Sequence, residues 1–183
     1  MPLRKLYLAG PEVFRPDARE IGLRKKAICA DFGFVGLYPL DNALSGEALD
    51  EAIFAANVAF LREADAAIFN LSPFRGINAD PGTAFELGFC AALGKPVFAY
   101  SHCAAPLFER VAGPFGAQAA EDGAPRDDAG LLVENFGNAD NLMLDAALKS
   151  QGRTVLRPQT GVEEADDLAL FAACLREARL HFS

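Results

Sequence analysis

The chain has 183 residues, 51% of them hydrophobic, with a formal net charge of −8. That size and apolar content fit a single domain spanning 1–183 with a substantial core. The acidity, with a pI near 4.8, argues against a nucleic-acid or membrane-surface partner, because phosphate binding shows as a basic patch or stripe.

No run approaches the roughly 18 consecutive apolar residues of a membrane span. The opening "MPLRKLYLAGPEVF" is too short and strand-like for a signal peptide, so a soluble, cytoplasmic protein is expected. Cys29, Cys90, Cys103 and Cys174 have neither CxxC nor metal-ligand spacing, and His102 and His181 lie in no ligand-like cluster. Four reduced thiols, no metal and no Ser-His-Asp hydrolase are the expectation.

Short apolar runs alternate with longer segments of helical period, the pattern of a layered α/β fold with a mostly parallel sheet. Strands are predicted at "KLYLAG" (5–10), "VGLYP" (35–39), "AAIFNLS" (66–72) and "PVFAYS" (96–101). Between them fit helices at "DAREIGLRKKAICADFG", "GEALDEAIFAANVAFLREAD" and "GTAFELGFCAALG", the last stopping at Gly94. The Arg24-Lys25-Lys26 run is read as a solvated helix face. After residue 101 the chain reads as a short helix over 105–113 and a Gly-, Ala-, Pro- and Asp-rich mobile loop over 114–130. Then come a helix with Asn138 or Asp140 near its start and a fifth strand around Thr154 to Arg157. An amphipathic packing helix in the 151–183 tail ends the chain. The expected fold is a doubly wound, flavodoxin-like or Rossmann-like sandwich around a five-stranded sheet. Ligands of such sheets bind beyond the strands' C-terminal ends, which gathers "AGPEVF", "PLDN", "NLSPFRG" and "ADPGT" at one crevice.

Chemistry concentrates in "ADPGTAFELGF" (79–89). Asp80 before Pro81 suits a helix N-cap, and Gly82 removes bulk where a ligand can approach the backbone. Glu86 has only apolar or tiny neighbours, so it is either at a pocket or badly placed. The helix dipole would favour its ionised form, which nucleophilic attack on a sugar carbon requires, and a second acid can manage the leaving group's proton. Two carboxylates at one crevice therefore suggest glycosyl chemistry.

The segments "LYLAGPEVF" (7–14 with its flank), "PLDN" (39–42), "NLSPFRGINADPGTAFELGFCAALGKPVFAY" (70–100) and "NLML" (141–144) together resemble the nucleoside 2-deoxyribosyltransferase family, in order, to about residue 148. The resemblance implies that Glu86 attacks C1′ of a 2′-deoxynucleoside to form a covalent deoxyribosyl-enzyme, and that Asp80 handles the proton on the base. It implies that Tyr7 orients the nucleophile, and that Asn141 and the Met143 backbone reach a neighbouring subunit's site in a homo-oligomer. Substrates would be a 2′-deoxynucleoside and a free nucleobase, with no cofactor. Gly10, Pro11, Phe14, Asn42, Asn57, Phe74, Arg75 and Gly82 are the remaining candidate substrate contacts. Asn57 bears either on base preference or on helix packing, Asp41 and Asn42 either bound the pocket or form a turn, and Arg75 either grips a phosphate or hydroxyl or pairs with an acid. Asp65 reads as structural.

Two other readings use the same residues. In an N-glycohydrolase, water intercepts the glycosyl-enzyme. In a nucleotide-sensing module, Glu86 only hydrogen-bonds a sugar hydroxyl. A phosphate pocket would need several basic or hydroxyl groups at helix N-termini, and only Arg75, Ser72 and Thr83 are obvious, which favours a neutral nucleoside.

Overall fold

The computed structural model describes residues 2–42, 48–119, 123–164 and 166–183. Gly46, the predicted start of the second helix, lies outside these residues, as do 120–122 of the predicted loop.

Four strands, β1 (Arg4–Ala9), β2 (Phe34–Leu37), β3 (Ala66–Asn70) and β4 (Val97–Tyr100), form a sheet of order β2-β1-β3-β4. Every pairing is parallel. Six helices accompany them among the described residues: α1 (Ala18–Asp31), α2 (Leu49–Glu63), α3 (Pro81–Ala92), α4 (Leu107–Phe115), α5 (Leu142–Lys149) and α6 (Ala169–His181).

Alternation along the strands builds two cores, because successive side chains point to opposite faces. Tyr7, Ala9, Ala67, Phe69, Val97 and Ala99 join Leu61 of α2, Leu87 and Cys90 of α3, and Leu144 and Leu148 of α5. Leu6, Leu8, Ala66, Ile68, Phe98 and Tyr100 pack with Cys29 of α1 and with Phe171, Cys174 and Leu175 of α6. The tail helix is thus packing material, as its amphipathicity predicts. This is the doubly wound arrangement, with β1 at the point where the strand order reverses.

The predicted fifth strand is reduced to a single parallel bridge between Tyr100 and Leu156. Leu156 N–H donates to Ala99 O at 2.9 Å and Ser101 N–H to Leu156 O at 2.8 Å, after which the chain departs from the sheet edge. In the segment predicted to be a mobile loop, α4 runs on to Phe115, and Gln118–Ala119 (β5) pairs antiparallel with Pro125–Arg126 (β6). Gly94 has φ +68°, the left-handed geometry of a helix C′ residue that glycine adopts without strain. Asp65 is structural, accepting from Arg4 Nη1 at 2.9 Å and from the Lys5 N–H at 2.8 Å. No helix among the described residues is long and apolar enough to cross a membrane. The four cysteines are buried and unbridged.

Candidate active site

Asp80 caps α3. Its Oδ2 accepts the Thr83 N–H at 2.8 Å and the Thr83 hydroxyl at 3.0 Å, and Pro81 occupies the first helical position, where a missing N–H costs nothing. Among the described residues Asp80 Oδ1 accepts no hydrogen bond, so the capping role uses half of the carboxylate and leaves the other half free.

Glu86 does not lie on a wet face. Thr83, Leu87 and Cys90 are the buried residues of α3, and Glu86, three positions after Thr83, falls on the same stripe. Its Oε1 accepts the Tyr7 hydroxyl at 2.6 Å and Asn57 Nδ2 at 3.4 Å. Tyr7 is fully buried on the central strand, Asn57 comes from α2, and Glu86 from α3, so three elements converge on one oxygen.

The Glu86 carboxyl is raised to about 7, by burial first and by the neighbouring Asp80 charge, against the bonds from Tyr7 and Asn57 that pull it down. Any favour the helix dipole lends the ionised form is outweighed. Glu86 is in the second turn of the Pro81–Ala92 helix, beyond the first turn where the dipole acts, and desolvation dominates. Burial and the adjacent Glu86 hold the Tyr7 phenol far above its ordinary value, so it remains a neutral donor.

A cleft of about 370 Å³ opens over these groups. Of the predicted residues it gathers Gly10, Phe14, Asn42, Asn57, Asp80, Gly82 and Glu86; Tyr7 braces Glu86 from the sheet side instead of lining the space. Among the described residues, Asn42 Nδ2 and Asn57 Oδ1 are buried without a hydrogen-bond partner, one a donor and the other an acceptor. Asp41 serves the turn: it accepts from the Tyr38 N–H at 3.1 Å and pairs with Lys26, leaving Asn42 to face the cleft.

The structure does not bring Pro11, Phe74 or Arg75 to this cleft. Pro11 and Phe74 line a separate hollow of about 210 Å³ that shares only Phe14 with it. Arg75, at φ 52°, sits over the Phe74 and Phe14 rings at 4.7 and 5.5 Å, and those rings stack at 5.0 Å. It pairs with an aromatic platform whose Phe14 ring also lines the cleft, and among the described residues it meets no acid. Asn141 and Met143 are also away from the cleft. Asn141 Oδ1 caps α5 by accepting the Met143 N–H at 3.1 Å, its Nδ2 donates to Glu134 at 2.9 Å, and the Met143 side chain is 70% exposed.

Sequence reading missed two buried charge networks beside the cleft. Lys25, read as part of a solvated run, is 1% exposed and paired with Glu12, itself 3% exposed. Glu12 Oε2 also accepts Asn70 Nδ2 at 3.0 Å, and Asn70 Oδ1 accepts the Ser72 hydroxyl and N–H. Gly10 lies against this network: a Cβ there would meet Glu12 Oε2 at 2.2 Å. Glycine is needed here for close approach, since its backbone is extended. The signal was available in the α1 period, because Lys25 shares the stripe of Ile21, Gly22 and Cys29.

The second network lies at the start of α5, where Asp140 was expected. The cap itself is Asn141, directly after Asp140. Asp140 is 1% exposed and binds Arg110 Nη2 at 3.1 Å, Asn78 Nδ2 at 3.0 Å and the Ala79 N–H at 2.8 Å. Val13, Arg19, Pro39, Leu40, Leu49, Ile53 and Thr83 complete the cleft wall; no local motif marks Leu49 or Ile53, which tertiary packing brings in.

Known proteins resemble this chain in sequence and in fold. The sequence model described as nucleoside 2-deoxyribosyltransferase matches residues 6–143. An uncharacterized protein of Schizosaccharomyces pombe is 33% identical over 168 residues, covering 80% of this chain and 78% of the yeast protein. A solved structure, a 2-desoxiribosyltransferase from Leishmania mexicana, is 34% identical with a TM-score of 0.64, over 94% of this chain and 97% of that one. A conserved protein from Enterococcus faecalis, 18% identical with a TM-score of 0.54 over 97% of this chain and 99% of that one, shares the fold. The family match spans most of the chain, including the strand that carries Tyr7 and the helix that carries Glu86: the chain belongs to the nucleoside 2-deoxyribosyltransferase family.

Proposed function

We propose that this protein, as a single domain over 1–183, moves 2-deoxyribose between nucleobases by a retaining double displacement, in cytoplasmic nucleotide salvage. The observation that carries the reading is the Glu86 carboxylate at the cleft wall, held through Oε1 by Tyr7 and Asn57, with Asp80 lining the same cleft. The ionised Glu86 attacks C1′ and the C1′–N bond breaks through an oxocarbenium-like transition state. The departing base takes a proton, with Asp80 as the group that handles it. The electron pair of a second base's nitrogen then displaces Glu86 from the sugar, that nitrogen loses its proton, and two inversions give net retention. Asn42 Nδ2 and Asn57 Oδ1, without a partner among the described residues, offer a donor and an acceptor to a heterocycle.

Tyr7 acts as a neutral donor that fixes one Glu86 oxygen and stabilises its anion. A 2′-hydroxyl would disfavour the developing cation inductively, so 2′-deoxy substrates react best. No cofactor takes part. Asn141 and the Met143 backbone are proposed to complete the site of a neighbouring subunit, which the exposed Met143 and its distance from its own chain's cleft support.

The test is a chromatographic assay with 2′-deoxyinosine, with and without excess adenine, and Glu86→Ala as control. Formation of 2′-deoxyadenosine that needs Glu86 is the expected result. Glu86-dependent release of hypoxanthine without a new nucleoside would instead make the protein a hydrolase.

A further inference from the structure

Asp140 stands outside the cleft, yet each of its oxygens holds two donors. Oδ1 accepts Asn78 Nδ2 at 3.0 Å and the Asn141 N–H at 2.8 Å. Oδ2 accepts the Ala79 N–H at 2.8 Å and Arg110 Nη2 at 3.1 Å. Each guanidinium nitrogen is engaged, Nε giving to Ile77 O at 2.8 Å and Nη1 to Ala105 O at 2.7 Å. Asp145 secures the same strip from behind, accepting the Ala139 and Asp140 N–H groups at 3.0 Å each. Buried carboxylates are expensive unless all their lone pairs are used, and here they are.

Three of the five partners of the Asp140–Arg110 pair, Ile77, Asn78 and Ala79, are the residues immediately before Asp80. Another, Asn141, begins the exposed turn that carries Met143. A bare N-cap needs none of this, since Asp80 already satisfies the helix terminus through Thr83.

We propose that Asp140, with Arg110, is a positioning residue that fixes the approach of Asp80 to the departing base and ties it to the Asn141 turn of the same chain. The proposal rests on the transferase reading above. Its logic is geometric: the carboxylate and the base nitrogen must lie within hydrogen-bond reach for proton transfer, and small displacements of such a group cost rate without costing binding. The Ala79 amide is one residue from the Asp80 Cα, so its bond to Asp140 sets the direction from which Asp80 enters the cleft.

The experiment compares two substrates in wild type, Asn78→Ala, Asp140→Asn and Asp80→Asn. 2′-Deoxyinosine needs its leaving base protonated, whereas the 2′-deoxyriboside of 4-nitroimidazole loses a stabilised anion. Asn78 is an exposed residue with one side-chain bond to the network, so its variant is expected to fold even where Asp140→Asn, which strands Arg110, does not. Asn78→Ala is expected to lower kcat for 2′-deoxyinosine by about 3- to 10-fold more than for the nitroimidazole substrate, with KM unchanged, in the direction shown by Asp80→Asn. Asp140→Asn, where folded, shows the larger ratio. Equal losses on both substrates, or no loss in Asn78→Ala, would overturn the positioning role while leaving the transferase reading intact. A wild type that releases neither base would overturn that reading, and this proposal with it.

Discussion

The Tyr7 hydroxyl donates to Glu86 Oε1 at 2.6 Å across 79 positions of sequence, joining the central strand to the second turn of α3. Tyr7 is fully buried and Glu86 partly so, and this low-dielectric setting strengthens the effect of the bond on the Glu86 charge. The bond is the largest influence favouring ionisation at a carboxyl that burial drives up to about 7.

Removing that hydroxyl tests the arrangement. Tyr7→Phe keeps the ring and its packing, so stability falls by only about 1 kcal/mol. Because the lost bond lowered the Glu86 value, the acid limb of the pH-rate profile moves to higher pH, and turnover at pH 7 drops about 10-fold. The check is kcat/KM from pH 5 to 9 for both proteins. An unshifted acid limb would separate Tyr7 from Glu86 ionisation.

Glu86 also affects stability, with a defined sign. Its folded value is raised from 4.5 to about 7, so between these limits the native state binds more protons than the unfolded chain, and stability falls as pH rises through the window. Glu86→Gln keeps an oxygen for Tyr7 and removes the titration. The variant is expected to be inactive yet more stable than wild type by about 1–3 kcal/mol at pH 8, with the gap closing toward pH 4. Urea denaturation at the two pH values reads this directly.

Much of this site is legible from local chemistry. Asp80-Pro81 announces a capped helix, and a glutamate surrounded by Phe85, Leu87 and Phe89 announces a buried or pocket carboxylate. What sequence could not supply is the partner of each charge. Lys25 lies in a basic run that any solvated helix would carry, and only the return of Glu12 from the turn after β1 makes its burial tolerable. Asp140 has the composition of a cap, but Arg110, thirty positions earlier, claims it. The fifth strand failed for a related reason: Thr154 to Arg157 has strand propensity, but only Leu156 keeps a bridge to β4. Propensity is local, whereas these outcomes were decided by pairings distant in sequence.

The Lys25–Glu12 pair yields a stability prediction. Lys25→Met leaves a carboxylate almost completely buried without its cation, which costs about 3–5 kcal/mol. Adding Glu12→Gln removes the stranded charge and retains an acceptor for Asn70, so the double variant recovers most of the loss. A double-mutant cycle in urea measures the coupling, expected at about 2 kcal/mol or more. Additive losses would mean that the pair is only a contact between two independently tolerated groups.

Subunit sharing of the site predicts a complementation. Glu86→Ala lacks the nucleophile, and a chain carrying Asn141→Ala lacks the proposed contribution to its neighbour. Asn141→Ala also removes a helix cap, at about 1 kcal/mol, which the fold can tolerate. Each homo-oligomer is impaired at every site. In a twofold assembly where residue 141 of one chain serves the cleft of the next, random mixing makes half of the dimers hybrid, each with one intact site. Co-refolding equal amounts should therefore restore about a quarter of wild-type activity, while mixing the folded proteins without subunit exchange restores none. Activity that stays at the average of the two parents after co-refolding would show that Asn141 serves only its own chain, as the cap of α5.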